Sequence, residues 1–105
     1  MDDNERIDKV LSELDKNKIG LVDVQKFLVN ELKDNDLRSY QRIIREIVNQ
    51  RFAKQQSGLS TVCEILPDGR EIVKAGGYIK HLERRKAAVE EEVKGRKTTA
   101  AQGQR

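Results

Sequence analysis

Residues 37–50, LRSYQRIIREIVNQ, constrain this chain more than any other stretch. Leu37, Tyr40, Ile43, Ile44, Ile47 and Val48 fall on one arc of about 140° when each residue advances 100°. That pattern predicts a helix with one face against a core and the other open. The chain has 105 residues, 37% of them charged and 4% aromatic, with no Trp, so the core must be small and aliphatic.

The flanking segments show what this helix can pack on. Ile7, Val10, Leu11 and Leu14 recur with helical spacing and predict a helix over residues 4–15, with Asp2 or Asp3 as its cap. KIGLV is too short and β-branched to continue it and suits a brief strand or extended turn. Asp23 is placed to cap a second helix, VQKFLVNELK, which KDND ends. After residue 50 the period shortens. RFAKQQ and STVCEIL read as two strands joined by SGLS; Pro67-Asp68-Gly69 allows a hairpin turn to a further strand REIVK or, the preferred reading, a short helix opened by Pro67; and YIKHLERRKAAVEEEVK reads as a last helix.

DKNKIGLVDVQK, residues 15–26, imitates a calcium loop. Counting from Asp15, position 5 is Ile19 and position 12, where a bidentate carboxylate should close the cage, is Lys26. Asp15, Asn17 and Asp23 supply too few oxygens. Gly20 is therefore expected to serve the backbone, turning the chain between two helices.

Charge is unevenly distributed. Residues 1–36 carry six Lys/Arg against ten Asp/Glu, whereas residues 37–56 carry five against one. Arg38, Arg42, Arg45 and Asn49 lie at offsets of 0, 4, 7 and 11 and share about 60° of the third helix, opposite its apolar arc. Arginine forks match phosphate oxygens and guanine edges, and Asn matches adenine. Ser39 and Gln41 flank the stripe at the helix start, while Lys54 and Gln56 belong to the following hairpin. Together these eight residues form the expected contact set for double-stranded DNA.

A third helix preceded by a helix and a turn, and followed by a β-hairpin, is the place of the recognition helix in a winged helix. Two further stretches strengthen the likeness. Ile65-Leu66-Pro67-Asp68-Gly69-Arg70 resembles the strand end and x-x-Gly-Arg helix start of winged-helix regulators, with proline in place of the usual threonine. KAGGYIKHLERRK is similar to the Gly-Gly-Tyr box and charged helix of some small winged-helix proteins. The resemblance implies a mostly α fold with a small β-hairpin: a three-helix core plus wing over residues 1–77, an extended charged helix over 78–94 and a flexible tail over 95–105. It also implies a DNA-binding, often dimeric, transcription regulator.

Within the last helix, Ile79, Leu82, Lys86, Val89 and Val93 alternate three and four apart. The apolar members Ile79, Leu82, Val89 and Val93 are the expected dimer contacts, with Lys86 interrupting the seam. This row also suits a protein partner, the alternative to DNA.

Other chemistries find little footing. Cys63 and His81 are each the sole residue of their kind, with no third group to orient a nucleophile pair and too few ligands for a usual zinc site. Gly76-Gly77 lacks the Lys-Ser/Thr of a phosphate loop. The expectation is a non-enzyme without cofactor or metal. A single cysteine, no apolar run long enough to span a bilayer and no signal-like start point to a cytoplasmic protein.

Overall fold

The computed structural model describes residues 1–58 and 60–89. They are mostly helical, with one small three-stranded antiparallel sheet. Helix α1, Asp3–Lys16, is capped by the Asp2 side chain, which accepts the Glu5 N–H at 2.8 Å. It buries Ile7, Val10, Leu11 and Leu14. Each such side chain is worth about 1.5–3 kcal/mol when fully removed from water.

Gly20 then turns the chain at a φ of +70°. A Cβ there would stand 3.0 Å from Ile65 Cγ2. The Gly20 carbonyl accepts the Ile65 N–H at 2.9 Å. Glycine is thus required twice, by its left-handed conformation and by the close approach of Ile65. The oxygens of the apparent calcium loop have other duties. Asp15 accepts from Arg70 Nη1 at 3.1 Å, Asn17 Oδ1 accepts the Ile19 N–H at 3.0 Å, and Asp23 caps the following helix.

Strand β1, Leu21–Asp23, leads into α2, Val24–Lys26, and then a π-helical stretch, Phe27–Glu31, closed by the Leu32 N–H on the Phe27 carbonyl. Helix α3, Ser39–Asn49, buries Ile43, Ile44 and Ile47. It starts two residues later than the apolar pattern predicts. The Asp34 carboxylate accepts the Asp36 N–H, and the Asp36 carboxylate accepts the Arg38 N–H, so the backbone turns at each step. Leu37, placed by periodicity on the core arc, is consequently 64% exposed.

Strands β2, Ala53–Gln55, and β3, Val62–Ile65, form the expected hairpin. Strand β3 is central, in the order β1-β3-β2, with Val22 opposite Cys63 and Ala53 opposite Ile65. Helix α4, Pro67–Lys74, opens on proline, whose missing N–H costs nothing in a first turn. Gly69 lies where a Cβ would stand 2.2 Å from the Phe52 carbonyl oxygen, and Arg70 reaches back to Asp15.

Gly76 and Gly77 adopt φ of +115° and +101°. A Cβ on Gly77 would stand 2.5 Å from the Asp8 carboxylate, which accepts the Tyr78 N–H at 2.7 Å. The glycine pair therefore brings the next helix, α5 over residues 78–89, against α1. Tyr78 is buried edge-on to Phe52, and its hydroxyl accepts from Gln50 Nε2 at 3.0 Å. His81 is half-buried against Phe52, with ring centroids 5.8 Å apart. Burial, then the charges of Arg85 and Arg84, lower its pKa. No helix among the described residues is long and apolar enough to cross a membrane.

Candidate nucleic-acid interface

The acidic turn before α3 fixes where that helix starts. Asp34 is buried, and its carboxylate accepts Arg6 Nε at 2.8 Å, Arg6 Nη2 at 3.0 Å and the Ser39 hydroxyl at 2.6 Å. Those bonds, Arg6 first, hold the Asp34 pKa well below the carboxylate range against the opposing effect of burial. Arg6 also donates Nη1 to Asp3 at 2.7 Å. The start of α3 is thereby fastened to the start of α1.

Ser39 belongs to this anchor and not to the open face. It is 1% exposed and its hydroxyl is committed to Asp34. Its place in the expected contact set is corrected for that reason. Its polarity and position at a helix start gave the right chemistry and the wrong partner.

Arg42 is exposed yet occupied. Its Nε donates to Asp3 Oδ2 at 2.9 Å, and its Nη2 donates to Asp3 Oδ1 at 3.2 Å and Asp36 Oδ2 at 2.7 Å. The bonds to Asp3 and then Asp36 raise the Arg42 pKa further, and Arg42 in turn is the first cause of the lowered pKa of both carboxylates. The guanidinium stripe expected from sequence is thus interrupted at its middle by the acidic ends of two other segments. Lys54 is also paired, with Glu64 across the sheet at 3.3 Å.

Arg38, Gln41, Arg45 and Asn49 are all exposed, and among the described residues neither arginine takes part in an ion pair. Gln41, Arg45 and Asn49 follow at intervals of four and so lie along one row of α3. Beside that row an open groove of about 440 Å³ separates α3 from the hairpin. Tyr40, Ile44 and Val48 lie on its α3 side, Gln55, Ser60 and Thr61 on its hairpin side, and Arg45 and Asn49 line it too. Gln56 is exposed next to β2, its N–H bonded to the Val62 carbonyl.

The seam of α5 divides differently from its sequence spacing. Leu82 packs on the core, Ile79 is half-buried and Val89 is 57% exposed. Val93, the charged residues 90–94 and the expected tail 95–105 lie outside the described residues.

Cys63 is fully buried in the central strand, and its thiol is pushed up to about 11 by burial and then by the charge of Asp23. It is a small core residue in this setting. Among the described residues every buried side-chain nitrogen or oxygen has a hydrogen-bond partner. Sequence reasoning missed the Asp34 anchor and the pairing of Arg42. The available signal is the acid clustering in KDND and at residues 2–3, which local pattern alone explains as turns and caps. No protein-family model matches the chain, and neither a curated protein nor a solved structure matches it.

Proposed function

We propose that the chain is a small winged-helix protein that binds duplex DNA through the outer face of α3 and acts by binding rather than by catalysis. The order of elements supports the fold: helix, strand, helix, helix and hairpin, with the first strand added to the hairpin's central member. One observation carries the function. Gln41, Arg45 and Asn49 stand exposed in a row beside the groove that the hairpin borders, with Arg38 at the N-terminal end. Arg45 offers a fork to phosphate or guanine, Asn49 and Gln41 offer amides to adenine, and Gln56 extends the contact from the hairpin. A buried, reduced Cys63 fits a cytoplasmic protein.

Fluorescence anisotropy with a mixed-sequence duplex of about 20 base pairs at about 50 mM salt tests this, because low salt favours every phosphate contact. Arg45→Ala with Asn49→Ala is expected to weaken binding at least tenfold, each lost bidentate pair being worth about 1–3 kcal/mol. No wild-type binding, or binding that the double substitution leaves unchanged, overturns the proposal.

A second reading, a protein-binding or dimerising module, draws on two observations: the neutralised Arg42 and the exposed Val89 on α5. Light scattering on the wild type and on Ile79→Asp distinguishes it, through a dimer that the substitution dissolves.

A further inference from the structure

Arg42 is held in a manner that imitates a phosphate contact. Two oxygens of one carboxylate meet its Nε and Nη2, and an oxygen of a second carboxylate meets Nη2 from another direction. The oxygens come from the first turn of α1 and from the turn before α3, so two separate segments converge on one guanidinium. All three side chains are open to water, at 47% for Arg42, 40% for Asp3 and 39% for Asp36. A pair so exposed contributes little to stability. It also stands on the same helix as the row assigned to DNA.

We infer that Asp3 and Asp36 form an internal clasp that occupies Arg42 in place of a nucleic-acid phosphate, so that a polyanion must displace them to recruit this arginine. The inference rests on the α3 reading above and concerns its regulation. Displacement is feasible because the anchor beneath does not depend on Arg42: Arg6 makes two bonds to Asp34 that involve neither clasp carboxylate, although it shares Asp3 with Arg42 through Nη1. The clasp lowers affinity in two ways. It withdraws one cation from the contact, and it brings two negative groups to within a Debye length of the approaching strand. A weaker binder results, and because the clasp competes with a phosphate and not with a base, it lowers affinity for every duplex alike.

Asp3→Asn with Asp36→Asn tests the clasp in the full chain with little change of shape. Asparagine at 36 retains an oxygen for the Arg38 N–H. In the duplex titration the double variant is expected to bind about fivefold tighter, with a salt slope steeper by about one unit, as one added phosphate contact requires. Adding Arg42→Ala should erase that gain. Glu31→Gln with Glu71→Gln, two exposed acids elsewhere, makes the same change in net charge and should move affinity less than about twofold. A gain no larger than this control, or one that survives Arg42→Ala, overturns the clasp. If Arg45→Ala with Asn49→Ala abolishes wild-type binding while Asp3→Asn with Asp36→Asn gives no gain, the clasp falls and the α3 reading stands. Absence of binding in every form overturns both.

Discussion

Asp34→Asn removes the charge at the centre of the anchor between α1 and α3 and leaves the shape nearly unchanged. The carboxylate accepts from Arg6 twice, from the Ser39 hydroxyl and from the Asp36 N–H, and its side chain is 3% exposed. An amide there presents a single oxygen. Its NH2 in the place of Oδ2 can donate to the Ser39 hydroxyl, but it then meets Arg6 Nε donor to donor, and the oxygen keeps only Arg6 Nη2 and the Asp36 N–H. Removing one partner of a buried pair typically costs about 3–5 kcal/mol, because the other charge stays buried without it. Arg6 retains Asp3 at 2.7 Å and some access to water, which reduces the expected loss to about 2–3 kcal/mol. With a urea slope of about 1.3 kcal/mol per molar for a domain of this size, the midpoint should fall by about 2 M at pH 7. The pH dependence provides a second arm. The folded-state pKa of Asp34 is depressed, so its contribution is complete above the unfolded carboxylate value near pH 4 and declines as pH falls toward the lower folded value. Wild-type stability should therefore drop below about pH 5, and Asp34→Asn should flatten that part of the curve. Circular dichroism during urea titration at several pH values measures both. A midpoint within about 0.3 M of wild type at pH 7 would refute the assignment of Asp34 as the anchor.

Two glycines and the cysteine give further tests. Gly77→Ala places a Cβ against Asp8 in a left-handed conformation and should lower the melting temperature by roughly 10 °C, whereas Gly76→Ala, which meets only the flexible end of Lys80, should cost less. Gly69→Ala collides with the Phe52 backbone and should be at least as damaging as Gly77→Ala; calorimetry ranks the three, and equal melting points would sink the close-approach argument. Cys63, fully buried with its thiol pushed up to about 11, should resist a disulfide reagent at pH 8 in the folded protein and react at once in denaturant. Prompt reaction of the native thiol would contradict its place in the central strand.

What periodicity encodes was legible. The stripes of α1 and α3, the brief strand at residues 21–23, the hairpin and the helix opened by Pro67 each follow from local pattern or local chemistry, and each is present. The failures share one cause. Leu37 continues the apolar arc of α3 by spacing, yet side-chain-to-backbone bonds from Asp34 and Asp36 delay the helix and expose it. Ser39 reads as a polar residue at a helix start, and only the burial of Asp34 five residues earlier turns it inward. Arg42 reads as a free cation, and its partner Asp3 is 39 residues away. Gly77 reads as a helix stop, but what demands glycine is Asp8, distant in sequence on α1. Charge pairing across the fold has no period, and a helical wheel cannot display it.

The same point limits what net charge can say about α3. Residues 37–56 carry five cations and one acid, which on a linear count describes a strongly basic surface. In three dimensions Asp3 and Asp36 are spent on Arg42, and Glu64 on Lys54, so three of the four acids around this face come from outside the segment counted. Arg38, Arg45 and Arg51 are the cations of this segment that enter no ion pair among the described residues. Counterion release scales with the cations that meet phosphates, at about 0.9 in the logarithmic salt slope for each. Two or three such contacts set a slope near −2 to −3, where five would set one near −4.5. A domain with that profile cannot rely on charge for its affinity. On the proposed DNA-binding reading, discrimination comes from the amides of Gln41 and Asn49 and from the fit of the groove beside them, which is why substitutions in that row should alter sequence preference while substitutions in the clasp should alter affinity across all duplexes alike.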